Sequence, residues 1–175
     1  MNPADASQIA GRLPQDIDLS QRHTWNPPLS GDINIVIDRR GHWFHNGAPF
    51  LREKIVRLFC QLLRREADDY FLVTPVEKWR IGVAAAPLLV IDMQISPESI
   101  TATANDGSQI VLDSDHPIGV VRSAQGAVPV ILVRDGLQAL IPRHYYYRLA
   151  EQASWEDGTA WLGQGDIRQP LPALD

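Results

Sequence analysis

The segment Thr74–Lys78 places three chemically useful side chains close together in the chain. A hydroxyl from Thr74, a carboxylate from Glu77 and an ammonium from Lys78 follow an apolar run. Because Pro75 disfavours helical geometry in the residue before it, we expect these groups to lie just after a strand. Binding groups often lie on such loops, so the segment predicts a ligand contact. The alternative is a hinge between two lobes, with Glu77 and Lys78 solvated or salt-bridged.

Positive charge and a predicted helix start coincide at Arg134, Arg143 and His144. A guanidinium presents a planar fork that matches phosphate or carboxylate, and a helix N-terminus adds exposed N–H donors. Cations at a helix start are unfavourable for the helix dipole unless an anion compensates them. This arrangement predicts an anion contact. The alternative is a structural ion pair with Asp135 or Glu151.

Histidine and aspartate spacing gives no metal signature. The run Asp113, Asp115 and His116 precedes a proline and is typical of a turn. His42 and His45 are three residues apart on a predicted strand, so their side chains point to opposite faces. We therefore expect no metal site. A hydrolase using Asp115 and His116 would lack a nucleophile.

The rest of the sequence gives little evidence for a catalytic site. The single cysteine, Cys60, lies beside the apolar stripe of a predicted helix, which indicates a buried and inert thiol. The sequence contains no recognisable Ser-His-Asp signature, glycine-rich phosphate loop or pair of catalytic carboxylates. We expect a protein that is not an enzyme and that carries no cofactor.

The composition is that of a globular protein. The chain has 175 residues, 45% of them hydrophobic and 21% charged, and a net charge of −5 from 16 basic and 21 acidic residues. This balance gives no electrostatic case for binding nucleic acid or an anionic membrane. The longest apolar run, Ile81–Ile91, is interrupted by Gly82 and Pro87, so it is too short to span a bilayer. With no secretory signal visible, we expect a cytoplasmic protein.

One pattern, strand, glycine turn, strand, proline and helix, occurs twice. The first copy contains Ile33–Ile37, Arg40-Gly41 and Pro49, and the second contains Val130–Val133, Asp135-Gly136 and Pro142. The repeat predicts two β-rich lobes related by duplication of a β-β-α unit, an α+β fold. Ligands commonly bind between lobes, so a site is expected there.

The predicted elements divide the chain into three parts. Residues 1–22 are polar and aperiodic and are expected to form a flexible or loosely docked arm. Residues 23–78 form an α+β lobe whose helix, Leu51–Arg65, carries an apolar stripe that includes Leu51. Residues 79–175 hold short strands and a helix near 143–153, the element order of a pleckstrin-homology-like barrel. Asn46-Gly47 and Asn105-Asp106-Gly107 are predicted turns.

Five motifs in order carry a family resemblance. They are Trp25-Asn26-Pro27-Pro28 with Gly31-Asp32; Trp43-Phe44 with Gly47 and Pro49; Tyr70–Lys78; Asp115-His116-Pro117; and Val133–Leu137. Together they resemble the bacterial domain-of-unknown-function 1285 family. The resemblance implies a two-lobed, duplicated fold, a role in signal transduction and a nucleotide-like ligand at the lobe interface. Ala84-Ala85-Ala86 departs from the acidic residues typical of such proteins at this point, and if this loop lines the cleft, we expect a different mode of ligand binding.

The sequence thus predicts a ligand-binding module for an anionic, nucleotide-like small molecule between two lobes. The residues expected to contact the ligand provide aromatic surface (Trp43 and Tyr146), positive charge (Arg52, Lys78, Arg134 and Arg143) and orienting groups (Thr74 and Glu77). The alternative is a protein-interaction scaffold with no small-molecule site, which would hold a protein partner by exposed strand edges. A basic concave pocket would favour the ligand, and a flat apolar patch the partner.

Overall fold

The computed structural model describes residues 6–174, apart from the side chain of residue 166. The chain divides into an N-terminal unit, Met1–Pro87, and a C-terminal unit, Leu88–Asp175. The division falls after the boundary at Lys78 that the sequence predicts. The reason is that strand Lys78–Val83 pairs with strands on both of its sides in the N-terminal unit.

The N-terminal unit is built on one six-stranded sheet of order β3-β2-β1-β6-β5-β4. Its strands are β1 (Gly31–Ile37), β2 (Trp43–His45), β3 (Ala48–Pro49), β4 (Leu63–Glu66), β5 (Asp69–Val73) and β6 (Lys78–Val83). Strands β1 and β6 are parallel, and the other neighbours are antiparallel. The alternation along β1 buries Ile33, Ile35 and Ile37 on one face, as expected for a strand with period two.

The ten-residue helix of this unit, α2, covers Glu53–Leu62 and is shorter than the sequence predicts. Leu63 has extended backbone geometry and starts β4, so the apolar pattern continues from helix into strand without a break. Leu51 precedes the helix and is 90% exposed, so its predicted place in the core is wrong. Cys60 is buried on the core face of α2, as predicted.

Residues 1–5 of the predicted arm at residues 1–22 lie outside the described residues, and the rest of the arm contains helical segments. Helix α1 covers Ala6–Arg12, and a 3-10 helix covers Leu19–Thr24. Ile9 of α1 is completely buried. A seven-residue helix is too short to show a hydrophobic period, so α1 cannot be recognised from the pattern of its residues.

The C-terminal unit carries a second six-stranded sheet, of order β10-β11-β12-β7-β8-β9. Its strands are β7 (Leu88–Ile95), β8 (Ile100–Ala104), β9 (Gln109–Val111), β10 (Ile118–Ser123), β11 (Gly126–Arg134) and β12 (Leu137–Leu140). Helix α3 (Arg143–Gln152) follows, close to the predicted range. A three-stranded sheet then forms from β13 (Ser154–Glu156), β14 (Thr159–Leu162) and β15 (Gln169–Pro170), with a 3-10 helix at Gly165–Ile167.

Two of the predicted turns have the backbone that their sequences favour. Asn46 and Gly47 have φ of 50° and 79°, and Asp135 and Gly136 have φ of 47° and 74°. Positive φ at both central residues is the hallmark of a tight hairpin turn. In each unit a hairpin therefore precedes a helix: β2-β3 before α2, and β11-β12 before α3. The structure is thus a β-rich chain of two units with few helices.

Candidate functional site

The N-terminal unit contains an open groove with a volume of about 660 Å³. Helix α1 forms one wall through Ala6 and Ala10, and the segment leading into α2 forms the other through Phe50, Arg52 and Ile55. The small side chains of α1 leave the space open. We call this feature the N-terminal groove.

An aromatic cluster supports one wall of the N-terminal groove. The Phe50 ring lies edge-on to Trp43 at 6.2 Å and to Phe59 at 5.8 Å, measured between ring centroids. His45, which also lines the groove, lies 6.2 Å from Phe50. Such edge-to-face contacts fix the orientation of Phe50.

Trp43 lies behind this wall. It is only 3% exposed, and it is not among the residues that line the groove. Its indole Nε1 is buried and has no hydrogen-bond partner within the described part of the chain. Trp43 therefore supports Phe50 and does not present an aromatic surface. Phe50 and His45 were not predicted as site residues, although both follow directly from the turn around Asn46-Gly47.

Positive charge in the groove comes from Arg52. This residue is exposed, stands immediately before the first turn of α2, and forms no ion pair with any residue between 6 and 174. None of the described residues that line the groove is acidic. The N–H groups of the first helical turn add partial positive charge at the same end of α2. An anion would therefore meet a guanidinium that has no competing carboxylate in the groove.

The predicted motif at Thr74–Lys78 is a closed turn. The Thr74 hydroxyl accepts hydrogen bonds from the N–H groups of Glu77 at 3.0 Å and Val76 at 3.3 Å, and the Thr74 N–H donates to the Glu77 carbonyl at 2.9 Å. Thr74 is 2% exposed. Its hydroxyl is thus used to hold the turn.

The two charged residues of that motif are paired within the N-terminal unit. The Glu77 carboxylate accepts from the Arg12 guanidinium at 2.5 Å, which links the turn to α1. The Lys78 ammonium pairs with Glu66 and lies 4.6 Å from the centre of the Phe71 ring. The Thr74 hydroxyl, the Glu77 carboxylate and the Lys78 ammonium therefore each contact a different partner.

Thr74 and Glu77 do line a cavity, but it is not the N-terminal groove. This cavity has a volume of about 150 Å³ and is shared with Ile9 and Arg12 of α1. Of the predicted residues in this unit, only Arg52 lines the groove. That a ligand binds between the two lobes stays a prediction.

In the C-terminal unit, Arg134 is committed to an ion pair. Its Nε lies 3.4 Å from a carboxylate oxygen of Asp106, which is buried and also accepts hydrogen bonds from the N–H and hydroxyl of Ser108. Asp135, one of the alternative partners expected from the sequence, is exposed, and its carboxylate oxygen lies farther from the Arg134 guanidinium, at 4.0 Å from Nη1. Asp106 neutralises Arg134 from a turn 28 residues earlier in the chain.

Arg143 and Tyr146 both lie in α3. Arg143 is the first helical residue, it is exposed, and no acidic residue occupies the first turn, as the sequence predicts. The Tyr146 hydroxyl donates to the Pro172 carbonyl at 2.7 Å, so it anchors the C-terminal segment. Arg143 is thus exposed to solvent, whereas Tyr146 contacts the C-terminal segment of the protein.

Asp113 and His116 form the turn that their sequence predicts. The Asp113 carboxylate accepts from the His116 ring Nδ1 at 2.8 Å and from the backbone N–H groups of Asp115 and His116 at 2.9 Å each. The hydrogen bond from the His116 side chain is the largest cause that lowers the pKa of Asp113 from its ordinary value. Within residues 6–174 no cluster of three metal-ligating side chains occurs.

No helix among these described residues is long and apolar enough to cross a membrane.

Comparison with known proteins gives a consistent result for both units. Residues 22–86 match the profile "Domain of unknown function (DUF1285), N-terminal domain", and residues 87–164 match "Protein of unknown function (DUF1285), C-terminal domain". The two matches meet close to the division seen in the structure. No curated protein matches the chain.

Two crystal structures are similar to this one. A DUF1285 family protein from Silicibacter pomeroyi DSS-3 is 35% identical with a TM-score of 0.82, over 92% of this chain and 91% of that chain. A DUF1285 family protein from Shewanella baltica OS155 is 28% identical with a TM-score of 0.52, over 67% of this chain and 90% of that chain.

Proposed function

The chain belongs to the DUF1285 family, whose function is unknown, and we propose that it is a ligand-binding module of signal transduction that takes an anionic, nucleotide-like molecule. The observation that carries this proposal is the N-terminal groove with Arg52 at its edge. A guanidinium without an ion-pair partner in the described chain is available to a phosphate, which it can bind by two parallel hydrogen bonds.

The other wall of the groove suits the remainder of such a ligand. Phe50 and His45 provide aromatic surface, and Ala6, Ala10 and Ile55 provide apolar surface. A planar base would pack against Phe50, whose ring is held by its aromatic neighbours. The volume lies within the range of about 300–1,000 Å³ typical of small-molecule sites.

We also propose that the two units arose by duplication. Each unit pairs a hairpin with a following helix, and each six-stranded sheet contains one parallel pair, β1 with β6 and β12 with β7. These shared features support two units that arose from one β-β-α ancestor. The pleckstrin-homology-like character of the C-terminal unit is proposed on its element order of strands followed by α3.

Titration of two matched variants tests the binding proposal. Arg52→Ala removes the guanidinium from the groove, whereas Arg57→Ala removes another exposed guanidinium, on α2, that does not line the groove. Purified protein is titrated calorimetrically with nucleoside monophosphates and cyclic dinucleotides. We expect saturable binding that Arg52→Ala weakens about tenfold or more, because a charge-assisted hydrogen bond contributes about 1.5–3 kcal/mol. Arg57→Ala should bind like the unaltered protein. If both variants lose affinity for the nucleotide equally, the loss reflects the change in net charge and contradicts the proposal.

A protein-interaction scaffold is the second candidate, and one observation favours it. Trp155 lies on β13, an edge strand of the small sheet, and is 70% exposed. Large exposed aromatic side chains are enriched in binding hot spots. Under this alternative Trp155→Ser abolishes capture of a partner in a pull-down, while the nucleotide titration is blank.

A further inference from the structure

A second cavity lies in the C-terminal unit, far along the chain from the residues of the N-terminal groove. It has a volume of about 270 Å³. Three separate segments close around it: the turn between β7 and β8 at Ser96–Ser99, the end of α3 with the start of β13, and the loop that follows β14. We call it the C-terminal cavity.

The lining of the C-terminal cavity is polar but uncharged. Three hydroxyls and two carboxamides line it, from Ser96, Ser99, Ser154, Gln152 and Gln164. No lysine, arginine, histidine, aspartate or glutamate occurs among the described residues that line it. A charged ligand would therefore find no counter-charge, whereas a neutral ligand rich in hydroxyl groups would find both donors and acceptors.

The apolar part of the lining is aromatic and aliphatic. Leu162 and Ile100 are buried, and the half-buried Trp161 contributes its indole. The Arg168 guanidinium lies 4.2 Å from the centre of the Trp161 ring and also pairs with Glu156. These contacts hold the indole in place. Because the guanidinium lies over one face of the indole, a sugar ring would pack its C–H groups against the other face.

Much of the hydrogen-bonding capacity around the cavity is free. The Ser96 hydroxyl is used, since it donates to the Ser99 carbonyl at 3.0 Å and accepts from the Ser99 N–H at 3.1 Å. Gln152, Ser154 and Gln164 are exposed at the mouth of the cavity, and their side chains form no hydrogen bond with the described residues. Each carboxamide can donate two hydrogen bonds and accept two. These groups converge from two segments of the chain on one small space.

The loop that carries Gln164 depends on the glycines on both sides of this residue. Gly163 and Gly165 have φ of 71° and 59°, a left-handed geometry that favours glycine. A Cβ on Gly163 would lie 2.9 Å from the Ile167 carbonyl oxygen, so the backbone segments approach too closely for any side chain. The close approach positions Gln164 at the rim of the cavity.

We infer that the C-terminal cavity binds a neutral saccharide, with the sugar ring against Trp161 and its hydroxyls bonded to Gln152, Ser154 and Gln164. The volume of about 270 Å³ lies just below the range of about 300–1,000 Å³ typical of small-molecule sites, which suits a ligand no larger than a single sugar ring. This site is independent of the anion site in the N-terminal groove, and its ligand differs in charge.

Amide-resolved NMR titration of the full chain tests the inference. Glucose, galactose, N-acetylglucosamine and cellobiose are added separately up to about 50 mM, well above the millimolar dissociation constants of weak sites. We expect one or more sugars to shift the Trp161 indole and the Gln152 and Gln164 side-chain amide signals, and to do so saturably. Binding of cellobiose would indicate a site for the end of a saccharide chain, whereas binding of monosaccharides alone would indicate a site for a free sugar. Glycerol serves as the nonspecific control.

Two variants and one control decide the assignment. Gln164→Ala should weaken the affinity about tenfold, the effect of losing one or two hydrogen bonds. Gly163→Ala should weaken it as well, because the loop must shift to accommodate the methyl group. Gln125→Ala, in an exposed turn outside the cavity, should leave the affinity unchanged. The inference is overturned if no sugar gives saturable shifts, if glycerol produces the same shifts, or if Gln164→Ala binds as tightly as the unaltered chain. The spectrum itself reports whether each variant is folded.

Discussion

Ile9→Ala should release helix α1 from the N-terminal unit without unfolding the sheet. Ile9 is fully buried, and truncation of a buried isoleucine costs about 2–5 kcal/mol. We take the lower end, about 2 kcal/mol, because the cavity beside Ile9 lies at a short terminal helix that can relax. A seven-residue helix is not stable alone, and the exposed pair between Arg12 and Glu77 contributes only about 0–1 kcal/mol.

Native-state hydrogen exchange measures this release directly. At about 1.4 kcal/mol per factor of ten, a loss of 2 kcal/mol accelerates exchange of the α1 amides about 30-fold. The amide of Ile35 in β1 should keep its protection, because β1 is paired on both sides. Since α1 forms a wall of the N-terminal groove, the affinity for an anionic ligand should fall in the same variant.

Gly11→Ala is the matched variant with the opposite sign. Its Cβ would meet no atom within 4 Å, and alanine is favoured over glycine in a helix by about 1 kcal/mol. Exchange in α1 should therefore slow about fivefold. Unchanged α1 protection in Ile9→Ala would refute the reasoning that Ile9 docks the helix. Equal loss of protection in α1 and β1 would refute the claim that the docking is local.

Three further substitutions test the structural assignments of predicted site residues. Arg134→Ala removes the guanidinium that pairs with the buried Asp106 carboxylate, so urea denaturation should show a loss of about 3 kcal/mol, and unchanged stability would contradict this ion pair. Thr74→Val should cost about 1–3 kcal/mol in the same assay because two N–H groups lose their acceptor, whereas Thr74→Ser should retain stability; equal effects would contradict a role for the hydroxyl. His116→Ala should raise the pKa of Asp113 toward its ordinary value in a carboxyl ¹³C titration, and an unchanged pKa would contradict the hydrogen bond.

The Asp113 carboxyl also gives a defined pH dependence. Its pKa in the folded chain is lowered, chiefly by the His116 side chain. The stabilisation from this turn is therefore fully present above the ordinary pKa of an aspartate and is lost as the pH falls through the lower, folded value. Unfolding measured as a function of pH should show that acid-side loss in the unaltered chain and less of it in His116→Ala.

Local sequence signals account for most of the strands. Asn46-Gly47 and Asp135-Gly136 set two hairpins because only residues that tolerate positive φ fit those turns. The end of α2 was missed for a specific reason. Leu62 and Leu63 are both buried, one at the helix end and one in β4, so the hydrophobic pattern does not reveal the change of backbone geometry.

The candidate site was less predictable because it depends on long-range pairing. Arg134 looks like a free cation in the sequence, and its partner Asp106 looks like an ordinary turn residue. Trp43 looks like an available aromatic surface, and the structure places it behind Phe50. Charge and residue type point to Arg52, which the structure places in the lining of the N-terminal groove, and its contact with a ligand stays a prediction. They could not show which other cations are neutralised by residues far away in the chain.

A crystal structure of the full chain with the tightest-binding nucleotide from the titration tests the central claim most directly. The proposal predicts density in the N-terminal groove, with a phosphate within hydrogen-bond distance of the Arg52 guanidinium and the base against Phe50. A nucleotide bound elsewhere on the chain, with the groove empty and Arg52 in solvent, would contradict it.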